Sequence, residues 1–305
     1  MKMKMKMRKL VVILILSTVG VGFSQETGSV YITSEFLPNS EVGTIKKNKV
    51  GFDIPLKTVF GKETISLFGE YQNLNIGYVD KDVPFETHQI DNFQTVSLGL
   101  LYDRVLENGW GFSLKLAPQI SSNFDINAFD SRDIFINGSL LFDKLNTENQ
   151  SMWSFGVSYD VQNGLDFPIP VIAYTKRLDE KWAYKIGFPD ARLKWSFHKN
   201  HRIEAFTTLG GFAGNMNDDV EIYKTDYRGN LKSTYMLGGV GYTISFLKDF
   251  EFNAKAGYSA FNNMEVQDYD TNEIYNFSME NGAYYNFGVT YKLKVKSKVK
   301  SPYYN

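Results

Sequence analysis

The chain has 305 residues, no Cys, 43% hydrophobic and 15% aromatic residues, and a mean hydropathy of −0.28. Without Cys there is no disulfide framework, Cys-ligated metal, thiol nucleophile or lipidated N-terminal Cys, and the hydropathy excludes a polytopic helical membrane protein. A formal charge of −1 gives no basic surface for nucleic acid, and 24 Phe and 19 Tyr against 8 Pro oppose disorder.

The N-terminus reads as an address. Lys2, Lys4, Lys6, Arg8 and Lys9 precede an apolar run, Leu10 to Val19, and the small residues of Gly22-Phe23-Ser24. This is the pattern of a cleaved secretory signal peptide over 1–24. The apolar run is shorter than the roughly 20 residues of a spanning helix. No later stretch reaches that length, so the mature chain is either soluble and secreted or crosses a membrane with strands.

From there the dominant period is two. Trp110, Phe112, Leu114 and Leu116 share one strand face; Trp153, Phe155, Val157 and Tyr159 alternate with Ser154, Gly156, Ser158 and Asp160. The same pattern holds for Trp182/Tyr184/Ile186/Phe188, for Leu193/Trp195/Phe197 against Arg192/Lys194/Ser196, and for Tyr285 to Val295. Such alternation specifies half-buried strands. In chain order they are expected near 29–37, 49–60, 63–76, 92–105, 109–121, 132–143, 151–162, 169–178, 181–188, 191–198, 201–211, 231–247, 250–260 and 283–295. That gives about 14 strands, with 12 possible.

Tight turns at Gly61-Lys62, Glu107-Asn108, Asp179-Glu180, Lys199-Asn200 and Lys248-Asp249 alternate with long connections at 38–48, 77–91, 122–131, 212–230 and 261–282. In an up-and-down meander every second link lies at the same end, so one end carries turns and the other carries loops. Trp110, Trp153, Trp182 and Trp195 all fall near the short turns on the apolar face, as an aromatic girdle at one membrane interface would. Segments of the ~9–11 residues needed to span the hydrocarbon recur through the chain. The expected fold is therefore all-β: a transmembrane antiparallel up-and-down barrel over 25–296, with short periplasmic turns, longer external loops and a basic C-terminal tail over 297–305. A soluble sandwich with an apolar core is the competing reading.

The segment Gly187-Phe188-Pro189-Asp190-Ala191-Arg192-Leu193-Lys194-Trp195-Ser196-Phe197 resembles an uncharacterised family of Gram-negative outer-membrane β-barrels. The resemblance rests on a Gly-x-Pro turn leading into a basic and aromatic alternation. It implies location and fold only. The strand Tyr285 to Val295 resembles the aromatic last strand read by the barrel-assembly machinery, although a basic tail follows it here.

Candidate chemistry is sparse. His198 and His201 bracket a turn without an evident third metal ligand. His88 lies in the 77–91 loop near Asp82, Glu86 and Asp91, and Ser97 and Ser113 lack a nucleophile signature. Asp268-Tyr269-Asp270-Thr271-Asn272-Glu273 starts like a calcium loop but lacks its Gly and its twelfth-position Glu. The loops holding it and Asp218, Asp219, Glu221 and Asp226 read as solvated acidic faces. No catalytic residue, cofactor or metal site is assigned.

Parity puts Lys115, Asp160, Lys185, Arg192, Lys194, Lys255 and Lys292 on the polar face, with Asp53, Glu70, Asp103 and Glu251. If that face lines a lumen, the charges either pair across it and plug it or favour anions mildly. The leading expectation is an outer-membrane barrel acting as a passive pore or a passage for a small solute or apolar ligand. Its surroundings would be outer-membrane lipid and lipopolysaccharide, with the barrel-assembly machinery met during insertion. The alternatives are a non-conducting barrel that binds through loops 212–230 and 261–282, and, with less support, an outer-membrane hydrolase.

Overall fold

The computed structural model describes residues 27–39, 43–59, 63–78, 84–123, 130–217, 219–277 and 279–294, so the signal-peptide and basic-tail segments lie outside the described residues. The strands are β1 (Thr27–Asn39), β2 (Gly43–Val59), β3 (Glu63–Tyr78), β4 (Asn92–Val105), β5 (Trp110–Ser122), β6 (Ile134–Asn146), β7 (Ser151–Tyr159), β8 (Ile169–Arg177) and β9 (Trp182–Phe188). They continue with β10 (Asp190–His198), β11 (His201–Asn215), β12 (Val220–Ile222), β13 (Thr225–Tyr227), β14 (Gly229–Phe246), β15 (Phe250–Asp268), β16 (Glu273–Phe277) and β17 (Gly282–Lys294). Fourteen of them, β1 to β11 with β14, β15 and β17, pair antiparallel with their neighbours in order, and β1 pairs with β17 to close the ring. Closure leaves no strand edge along the wall, which is what a sheet in lipid requires. β12 and β13 form a separate small hairpin, and β16 extends the free upper end of β15.

The outward face is the apolar one. Ile32, Leu98, Leu116, Ile136, Ile172 and Ile186 are each more than half exposed. An apolar band this continuous has no place on a soluble surface; it is the lipid-facing belt of a transmembrane barrel. The soluble-sandwich alternative is thereby set aside. No described helix is long and apolar enough to cross a membrane.

The wall is uneven. β7, β8 and β10 have nine residues and β9 has seven, whereas β1 to β4 have 13–17 and β11, β14 and β15 have 15–19. Two connections at the loop end are short: residues 40–42 between β1 and β2, and Pro189 between β9 and β10. The expected loop at 38–48 is therefore a correction. Thr44 to Asn48 continue β2 in full register with β1, because Leu37, Glu35 and Thr33 meet Ile45, Lys47 and Lys49 on the inward face.

The tall side bends over the low side. Beyond Thr208, β11 leaves β10 and crosses the mouth to β5, where Asn215 meets Ser122 in parallel. Three bonds fix the crossing: Ser121 Oγ to Ala213 O (2.7 Å), Ser122 Oγ to Asn215 O (3.0 Å) and Asn123 N to Asn215 O (3.2 Å). The approach is too close for a side chain at Gly211, where a Cβ would stand 2.3 Å from Ser233 O and 2.5 Å from Asn163. Below this arch the barrel has fourteen strands. At its level a narrower ring of nine closes on itself.

Candidate functional site

The inward cations are graded from part-exposed to buried. At the short-turn end and mid-height the side chains of Lys292, Arg192, Lys49 and Lys255 are 44%, 31%, 29% and 23% exposed, so water reaches them. Near the loop end Lys47 falls to 5%.

Above Lys47 the nine-strand ring is filled with apolar side chains. Leu37, Ile45, Leu74 and Phe93 come from the strands, Phe212 and Leu231 from the arch, and Met216, Val220, Ile222, Met264, Val266 and Phe277 from the returning loops. Phe93 and Phe212 meet edge to face with centroids 5.2 Å apart. Loops 212–230 and 261–282 thus differ from the expected solvated faces. Their alternating apolar residues form β12, β13 and β16 and turn into the barrel, leaving Glu221, Asp226 and Glu273 outside.

On the other side of the arch, the link 160–168 folds inward. Thr234 Oγ1 donates to Asn163 O (3.1 Å), Gln72 Nε2 to Gln162 Oε1 (3.1 Å), and the Lys232 ammonium is held by Asp166 and Gln267. The mouth is therefore closed in two parts, one apolar and one hydrogen-bonded.

A polar latch lies directly under the apolar part. Lys47 Nζ donates to Gly211 O (2.6 Å) and to the Tyr235 hydroxyl, and stands 3.4 Å from Glu35 Oε1. Tyr235 and Tyr284 hydroxyls donate to Glu35 at 2.9 and 3.3 Å. One ion pair thus ties β1 and β2 to β11, β14 and β17.

Lower down, the charges sort by wall. Asp53, Asp103 and Asp143 point inward from β2, β4 and β6, with Ser113 and Ser154 donating to the latter two. Lys115 stands over the Phe68 ring at 4.9 Å. Asp160 turns its carboxylate to Gln162 N (3.0 Å) and faces the lumen near Lys49. The facing wall carries cations. Asp190 accepts from Lys185 (2.6 Å) and Arg192 (3.2 Å), Glu204 lies 3.6 Å from Arg192 and 3.0 Å from Lys255, and Lys292 donates to Glu251 (2.7 Å). Lys194 points inward on the same wall. These pairs lie within one strand or join adjacent or next-but-one strands, and among the described residues no ion pair at this height spans the lumen.

The four Trp lie outward near the short turns. Trp110 and Trp153 flank Lys144 on neighbouring strands, and Trp182 stacks on Trp195 with centroids 5.5 Å apart. His198 and His201 sit at a short turn, rings 5.4 Å apart, with His201 bonded to the Tyr242 hydroxyl. His88 pairs with Glu86 in an exposed loop, away from Ser97 and Ser113, which face the lumen. The Asp268 carboxylate is taken up by Asp270 N, Asn272 N and Asn272 Nδ2, which makes a turn rather than a cation loop. Among the described residues no group of three His, Asp or Glu is placed to hold a metal.

Glu35, Lys47, Glu204 and Arg202 were not singled out by sequence. Their signal was present as inward parity, but the Lys46-Lys47-Asn48-Lys49 run reads as a solvated loop, and their partners come from distant strands.

Fold and lumen define a transmembrane β-barrel with its mouth closed at the loop end. The chain belongs to the family described as a domain of unknown function, DUF6268, whose model matches residues 26–292. Among curated proteins no sequence match is found. Solved structures of similar barrel form include the COG4313 outer membrane channel from Pseudomonas putida F1, with TM-score 0.45 and 9% identity over 90% of this chain and 97% of that one. The TodX monoaromatic hydrocarbon channel (deltaS2 mutant) gives 0.42 and 9% over 90% and 91%. The KdgM porin in complex with disordered oligogalacturonate gives 0.38 and 9% over 87% and 99%.

Proposed function

We propose that this protein is a gated small-solute passage of the outer membrane, resting in a state closed to the outside and open to the periplasm. The observation that carries this reading is the grade along the lumen: part-exposed cations below, an apolar seal above. A barrel built only as a scaffold has no need of a lumen whose cations keep a quarter to nearly half of their surface in water. An ion cannot cross the apolar seal without losing its hydration, which costs several kcal/mol or more, so the resting barrel conducts little. The lipid-facing belt is surrounded by outer-membrane lipid and lipopolysaccharide, and the short turns face the periplasm.

The filled mouth equally favours a second reading, a non-conducting barrel that binds through its loop end. Planar-bilayer recording separates the two. Wild-type protein is expected to give rare, brief openings. A variant with 216–228 replaced by a Gly-Ser turn, together with Phe93→Ala and Phe212→Ala, is expected to give steady conductance steps. If that variant, shown to be folded by its mobility shift on heating, stays silent, the non-conducting reading replaces the passage.

A further inference from the structure

We infer that the lumen wall formed by β10, β11 and β15 holds a binding site for a small multivalent anion carrying carboxylate or phosphate groups. Four cations converge there: Arg192 and Lys194 from β10, Arg202 from β11 and Lys255 from β15. The register sets them side by side. Lys194 lies opposite Glu204, Glu204 opposite Gly241, and Gly241 opposite Lys255; Arg192 and Arg202 occupy the inward positions on either side, opposite Phe206 and Thr243. Only one carboxylate, Glu204, stands among them, and it is shared by Arg192 and Lys255. Asp190 takes Arg192 and Lys185 at the upper edge, and Glu251 takes Lys292 at the lower edge.

Lys194 and Arg202 are left to share carboxylates, Glu204 and Glu251, that other cations already hold. Neither has an ion-pair partner of its own among the described residues, and Arg202 Nε is buried with no hydrogen-bond partner at all. A buried guanidinium N–H without an acceptor is costly, and like charges crowded on one wall repel. An anion with two or more charges neutralises the excess and offers acceptors to Lys194 and the Arg202 guanidinium. Arg is suited to forked contact with carboxylate or phosphate oxygens.

Inward position 241 is glycine, which lets the Glu204 and Lys255 stems close over it: their Cγ atoms lie 3.0 and 3.2 Å from where a Cβ would stand. Inward positions 239 and 257 on β14 and β15 are glycine too. The partial exposure of Arg192 and Lys255 leaves this wall accessible to water. The three acidic residues Asp53, Asp103 and Asp143 stand on the other wall, which directs an anion to this side.

This inference names a solute class for the passage proposed above, but its test reads binding and not transport. Calorimetric titration of the folded barrel in a zwitterionic detergent uses two probes, citrate and inorganic phosphate. Wild-type protein is expected to bind at least one with saturation near one per barrel, more weakly in 0.5 M than in 0.05 M NaCl. Lys194→Gln/Arg202→Gln should weaken it at least tenfold, whereas Lys292→Gln should change it less than twofold. The single variants Lys194→Gln and Arg202→Gln serve if the double variant loses its heat-dependent mobility shift. Citrate alone, or phosphate alone, identifies the anion within the class. Absence of saturable binding to wild type, or equal binding by the folded variants, overturns the site. Binding by a barrel that never conducts would keep the site and remove the passage.

Discussion

At the scale of single residues, Lys47 shows how this barrel combines strength with a reason to move. Its ammonium is almost fully buried yet bonded to Gly211 O, Tyr235 and Glu35. Removing one member of such a pair strands the other, at a cost of about 3–5 kcal/mol, while replacing both by neutral groups costs far less. Lys47→Met is therefore expected to lower unfolding free energy in lipid by about that amount, and Glu35→Gln/Lys47→Met should recover most of it. A double variant no more stable than the single one would show that the latch is not a coupled pair. The wall offers a second contrast. Leu98 is 54% exposed toward lipid, while its neighbour Ser97 lies opposite Glu70 in the lumen. Leu98→Arg should cost about 2–4 kcal/mol near the bilayer midplane. Ser97→Arg should be nearly neutral, since its charge meets Glu70, and equal penalties for the two would contradict the assignment of faces.

Among the elements, alternation located the strands well where one face is apolar throughout. β4 occupies 92–105, and β9 and β10 lie within one residue of expectation, because Trp182, Ile186, Leu193 and Trp195 mark their lipid faces unambiguously. The upper ends of β1, β2, β11 and β15 were illegible for one physical reason. Above the membrane the pattern no longer separates lipid from lumen, since both faces of these strands pack against protein. Pro38, Asn39 and Gly43 carry turn chemistry, and Lys46 to Lys49 looks solvated, yet Lys47 is among the most buried cations of the described residues. The candidate site divides in the same way. Parity alone assigns Lys185, Arg192, Lys194 and Lys255 to the polar face. Their meeting with Arg202 and Glu204 depends on ring order and on the β11–β14–β15 register, which no local pattern encodes.

Taken as a whole, the molecule is two rings sharing five strands on one side and four on the other, with β6 to β10 present only in the larger one. The larger ring carries the lipid-facing belt and the part-exposed lumen cations. The smaller ring, closed where β11 touches β5, holds an apolar core. A passage through such a molecule requires the arch to lift, and the arch is tied down mainly by the Lys47 latch, the Ser121 and Ser122 bonds, and the packing of Phe93 against Phe212. The absence of native Cys allows the two faces and the mouth seal to be read directly by thiol labelling. Lys292→Cys, Leu74→Cys and Leu98→Cys proteins in lipid nanodiscs are treated with a charged, water-soluble thiol reagent. Rapid labelling is expected at 292, in the accessible lumen, with protection both at 74, inside the mouth seal, and at 98, against lipid. Rapid labelling at 98 with protection at 292 would turn the faces inside out and contradict a water-holding transmembrane barrel.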